Sequence, residues 1–167
     1  MPNRNDILTG KRPSLHRRVK GNITTRKLVK GKGTKIATMV IPTFLSMVNT
    51  VKLYHWKTMS YSTHKATDEL YAKMGELTDH FVEVMLGKED MGGRAKLLKG
   101  NSKSYILNIS LYSSNNDFKK QIEKYKTFLV DLSKDSSFNS EMNVDLIAIR
   151  DEILAELNKF LYLLTLH

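Results

Sequence analysis

One imidazole and three carboxylates recur along a single stretch of this chain: His64, Asp68, Asp79 and Glu83. A helix turns about 100° per residue, so the four fall within roughly a quarter to a third of its circumference. They form two i, i+4 pairs, His64 with Asp68 and Asp79 with Glu83, and such pairs can hold one ion from one helix face. The pairs cannot share an ion within one chain, because about 22 Å of helical rise separates them. Two copies of the helix, antiparallel about a two-fold axis, bring the histidine end of one chain to the Asp-Glu end of the other, twice per dimer. His55 lies just upstream, at the end of a preceding helix. A short turn would return the chain so that His55 and His64 sit side by side. The spacing therefore predicts a site of two imidazoles and three carboxylates, split between chains.

Each residue alone has a plainer reading. A single histidine at a helix end is more often a hydrogen-bonded structural group than a ligand, and Asp68 on its own reads as a surface acid. Five positions in register favour the metal site. The chain has no cysteine, so any metal must be held by nitrogen and oxygen ligands. The eight methionines recur at helical spacing and read as core filler. Glu76 and His80 are four apart, so the Glu-x-x-His motif of a di-iron centre inside one bundle is absent there, and His80 lies off the ligand stripe.

The elements that must position these groups follow from periodicity. Met39, Val40, Phe44, Met47, Val48, Val51 and Tyr54 recur at three- and four-residue steps from Ile36 onward, with Pro42 either starting this helix proper or kinking its first turns. After a polar break, Ser62 or Thr63 would cap a second helix, whose buried stripe is Leu70, Met74, Leu77, Phe81 and Met85. Gly87 and the Gly92-Gly93 pair end it. Residues 88–103 read as loop, and 104–112 as a short extra helix. A third helix is expected over 117–134, with Phe118, Ile122, Tyr125 and Leu129 inward, and a fourth over 143–166. The fold class expected is all-α: a ferritin-like four-helix bundle over residues 37–167, with a longer middle connection.

Residues 1–36 form a basic arm. They carry Arg4, Lys11, Arg12, Arg17, Arg18, Lys20, Arg26, Lys27, Lys30, Lys32 and Lys35 against one acid, Asp6, while residues 37–167 balance sixteen basic against sixteen acidic side chains. The whole net charge of +10 thus sits on the arm. Its Gly, Pro, Ser, Thr and Asn content predicts a disordered or extended segment. A solubilising tail or a targeting peptide are the plainer alternatives. Such a density of cations better suits non-specific attachment to DNA or RNA through counterion release. The "GKGT" at 31–34 lacks the glycine spacing and preceding strand of a phosphate-binding loop. The longest apolar stretches read as too short to cross a membrane and the N-terminus lacks the apolar core of a signal peptide, so a soluble, cytoplasmic protein with no membrane partner is expected.

The histidine before a tryptophan in "YHW", a second histidine, and acids four, fifteen and nineteen residues after it resemble the Dps family of mini-ferritins. Those offsets fall on His55, His64, Asp68, Asp79 and Glu83, with Trp56 and Tyr71 also in place, and Tyr162 in "DEILAELNKFLYLL" stands where the family's closing helix commonly has an aromatic. The likeness covers roughly residues 37–166. The family usually has twelve residues between its histidines; His64 here is nine positions after His55, so a shorter turn is expected. The resemblance implies a ferroxidase that binds iron at a dimer interface, oxidises Fe(II) with peroxide or oxygen, and stores Fe(III) in a shell of usually twelve subunits. With the arm, it implies a nucleoid-associated protein that shields DNA from oxidative damage. The alternative is a structural, nucleic-acid-condensing or virion-internal protein on the same fold with a weakened or lost site. An RNA-associated adaptor is a third possibility.

Overall fold

The computed structural model describes residues 23–88 and 109–166, with side chains from Ile36 onward. Four long helices make up the described fold: α1 (Ile23–Lys57), α2 (Tyr61–Gly87), α3 (Asn115–Leu132) and α4 (Val144–Leu163). A 3-10 turn, Glu141–Asn143, leads into α4. No strand occurs among the described residues.

α1 is longer than its apolar periodicity predicts. It begins at Ile23, not Ile36, so residues 23–36 of the expected disordered or extended arm are helical, and Pro42 lies deep inside the helix. Gly31, Gly33 and the β-branched residues there are poor helix formers. Adding turns to an existing helix, however, avoids the cost of a new nucleus. Pro42 has no N–H to give the previous turn; next to it, the Thr43 hydroxyl donates to the Met39 carbonyl at 2.8 Å. Ile36–Lys57 is also long and apolar enough, by length and composition, to cross a membrane, contrary to expectation. In this fold it is a core helix, with Val40, Phe44, Met47 and Val51 fully buried.

α2 is capped earlier than expected. The cap is Ser60, whose hydroxyl oxygen accepts from the Thr63 N–H at 3.3 Å; Ser62 and Thr63 lie inside the helix. Gly87 is its last residue, as expected, and Gly92 and Gly93 lie outside the described residues. Leu70, Met74, Phe81 and Met85 are buried; Leu77 is half-buried. Most of the extra helix expected at 104–112 also lies outside the described residues, and 109–112 are not helical. α3 buries the four residues its periodicity marks, and Ser114 caps it by accepting from the Asp117 N–H at 3.2 Å.

α2 packs against α1 and α4, and α4 packs against α3. Side chains also join α1 to α3: Tyr54 stacks on Phe118 at 3.9 Å between ring centroids, and Thr50 bonds the Tyr125 hydroxyl at 3.0 Å. These contacts fix the helix directions. The end of α1 meets the start of α3, where the Tyr54 hydroxyl donates to Asn115 Oδ1. At the other end, Lys88, just past α2, donates to the Met142 carbonyl at 2.7 Å and pairs with Asp145 at 2.9 Å. α2 and α3 therefore run the same way, and residues 88–114 must connect opposite ends of the bundle. The described residues form two helical hairpins, α1–α2 and α3–α4, with the end of the first and the start of the second at opposite ends of the bundle.

The core is continuous through both hairpins. Phe44 meets Phe81 edge-on at 5.1 Å, Phe81 faces Phe138 at 6.2 Å, and Phe118 meets Phe160 at 5.9 Å. Buried Arg150 ties the end of α3 to α4 by donating to the Leu129 carbonyl at 3.3 Å and to the Ser133 hydroxyl.

Candidate metal centre

The three-residue turn at 58–60 returns the chain tightly enough to stack the His55 and His64 rings, with centroids 3.9 Å apart and planes 24° from parallel. The shortened spacing thus still brings the two imidazoles together. Each ring bonds the other's backbone: His55 Nδ1 lies 3.1 Å from the His64 carbonyl, and His64 Nδ1 lies 3.0 Å from the His55 carbonyl. A carbonyl oxygen only accepts, so both Nδ1 atoms must carry the proton. In the neutral rings, both lone pairs then reside on Nε2, the form in which histidine ligates a metal while its other nitrogen is anchored.

Thr67 braces this arrangement from one turn along α2. Its hydroxyl lies 2.8 Å from the Thr63 carbonyl and 3.0 Å from the His64 carbonyl, and 3.3 Å from His55 Nδ1. His55 is buried, His64 half-buried, and Asp68 exposed, with Asp68 Oδ1 3.8 Å from His55 Nε2. Beside them Lys52 Nζ sits 4.0 Å from the centre of the Tyr71 ring and 5.6 Å from that of Trp56, a cation–π contact from α1 to α2.

Asp79 and Glu83 are exposed and lie on the same side of α2, about 22 Å along it. The structure therefore stacks His55 on His64, sets Asp68 beside His55, and leaves Asp79 and Glu83 at the far end. Among the described residues, no group of three or more His, Asp or Glu within the chain could hold a metal ion. His80 is exposed on another face. Of the arm's cations, Arg26, Lys27, Lys30, Lys32 and Lys35 fall on the first turns of α1, while Arg4, Lys11, Arg12, Arg17, Arg18 and Lys20 lie outside the described residues.

Sequence reasoning missed Lys52 and Thr67. Thr67 was legible in principle, since a hydroxyl three residues after His64 can reach back to a carbonyl of the previous turn. Lys52 gives no signal of its own in the sequence, because its nearer ring partner, Tyr71, is on another helix.

No curated protein and no solved structure matches this chain. Residues 55–164 match the model of a family of unknown function, DUF5856. The matched region opens on His55 and contains all five candidate ligands, while the basic arm lies before it. The chain belongs to the DUF5856 family.

Proposed function

We propose that this protein is a Dps-like ferroxidase and iron store on a ferritin-like bundle, which attaches to nucleic acid through its basic arm. The observation that carries the reading is the histidine pair: two stacked imidazoles whose Nδ1 protons are held by backbone carbonyls, leaving both Nε2 lone pairs free of those bonds and that of His55 3.8 Å from the Asp68 carboxylate. The single long crossover between parallel α2 and α3 supports the ferritin-like assignment, because that bundle family is built with one such connection.

His55, His64 and Asp68 of one chain would bind Fe(II) together with Asp79 and Glu83 of a second. Two Fe(II) ions each yield one electron to one peroxide, which takes up two protons and leaves as two waters; the Fe(III) is deposited as mineral. The protein's part is to hold the ions with nitrogen and oxygen donors and to leave a coordination position for the oxidant. A two-fold pair makes two such sites, and a shell of such pairs, twelve subunits in the Dps-like case, would enclose the product. Many arms on one shell would bind DNA with avidity.

The test is anaerobic Fe(II) loading followed by hydrogen peroxide, with ferric absorbance followed in wild type and Asp79→Ala. Rapid oxidation is expected in wild type and background oxidation in the variant. Asp79→Ala and His64→Ala should also complement when mixed, since one of the two sites in a mixed dimer keeps all five ligands. Background rates in wild type would defeat the ferroxidase reading and leave nucleic-acid packing by the arm as the function.

A further inference from the structure

Gly75 stands in the interior of α2, where alanine would be favoured over glycine. Among the described residues nothing requires it: a Cβ at this position would meet no atom of theirs within 4 Å. Its place on the helix supplies a reason. His64, Asp68, Tyr71, Gly75, Asp79 and Val82 share one side of α2, within about 80° of arc. Against that side, α1 presents Ile41, Leu45 and Val48, and the two helices form an apolar groove of about 280 Å³ with Gly75 and Asp79 in its wall. Leu45 is 44% exposed.

The geometry points to Gly75 as the place where two copies of α2 cross, back to back, in a two-fold dimer. This rests on the shared-site reading above and fixes its register. In an antiparallel pair, His64 opposite Glu83 and Asp68 opposite Asp79 share one midpoint, at about residue 73 or 74. The axis so placed passes between Tyr71 and Gly75. A position without a side chain there lets the two backbones approach closely, and the apolar groove is covered by the second copy. Charge agrees with the antiparallel order. Lys52, at one end of the stripe, meets Asp79 and Glu83 of the second copy, while Asp68 opposite Asp79 sets two carboxylates together, a pairing that a shared cation neutralises. A parallel pair would set like against like.

Sedimentation equilibrium of the full chain without iron tests the crossing, using Gly75→Leu and, on the opposite side of the same helix, Lys73→Leu. Wild type and Lys73→Leu should associate alike, while Gly75→Leu associates at least tenfold more weakly with unchanged helical circular dichroism. Should Gly75→Leu lose its helical signal, Gly75→Ala decides by the same criterion: weaker association supports the crossing, and unchanged association overturns it. Wild-type-like association of a folded Gly75→Leu overturns it, as does a monomeric wild type. The two readings fail separately. Association that depends on Gly75 without Asp79-dependent oxidation removes the iron chemistry and keeps the crossing. Iron oxidation shared across chains, with assembly indifferent to Gly75, does the reverse.

Discussion

At the scale of single residues, the candidate centre depends on which nitrogen of each histidine faces outward. The crossed Nδ1 bonds settle that through backbone carbonyls, which only unfolding the turn could withdraw. Thr67 stiffens the same carbonyl that orients His55. Thr67→Val should therefore weaken metal binding by roughly tenfold, the usual effect of losing an outer hydrogen bond to a ligand. Stability should fall by only about 1 kcal/mol, since a shape-conserving change removes one hydroxyl. Iron titration and thermal unfolding of the same variant separate the two effects. The five ligand candidates were legible because their types and register carry the signal. That Asp79 and Glu83 stand apart from His64 within one chain was legible from helical rise, and that His55 lies beside His64 was legible from the shortness of the turn between them. The tautomers were not, because they depend on a turn whose closure no residue type announces.

Among the elements, α3 was the most legible. Phe118, Ile122, Tyr125 and Leu129 are widely enough separated by polar residues that only one face can be buried. α1 was the least. Its first turns contain two glycines, and its proline suggested a beginning where the helix is already well under way. Between the third and fourth expected helices no element was expected, yet Phe138 there is fully buried against Phe81, and Asn143 holds the segment by donating to the Ser137 and Phe138 carbonyls at 3.0 and 3.1 Å. An isolated aromatic among serines carries no period from which burial could be read. Pro42 gives a direct test of the longer α1. A proline in a helix interior costs about 3 kcal/mol, so Pro42→Ala should raise the unfolding free energy by an amount approaching that, measured by denaturant titration. A destabilised variant would show that the helix needs its break.

For the whole molecule, the far end of the bundle is fastened by Lys88, which reaches both the Met142 carbonyl and Asp145. Burial pushes the Asp145 carboxyl up, but the hydrogen bond and charge of Lys88 and the Leu146 N–H outweigh it and hold the group below its ordinary value. A carboxyl lowered in the folded state adds stability that is present above its unfolded value and is lost as pH falls through the folded one. Asp145→Asn should therefore lower stability at neutral pH by no more than about 1 kcal/mol, because the pair is partly solvated. The difference from wild type should vanish in acid, and unfolding titrations at several pH values read it. The arm makes a second prediction at this scale. Deleting residues 1–22 removes six cations without entering α1, and deleting 1–35 removes all eleven while keeping buried Ile36. DNA affinity should fall in two steps, with the slope of log K against log salt shrinking by up to about 0.9 for each phosphate no longer neutralised. A domain that binds DNA equally well after both deletions would free the arm of this role.

The division into two hairpins has a consequence for how the sequence can vary. Every candidate ligand, the glycine at the crossing and the helical part of the arm belong to α1–α2. α3–α4 supplies core aromatics, caps and the Arg150 clasp, and none of the proposed chemistry. The outward faces of α3 and α4 thus answer to contacts between pairs in a shell and not to the ligand set or the arm. A relative that kept its first hairpin while rewriting the surface of its second would have the same machinery under a different coat.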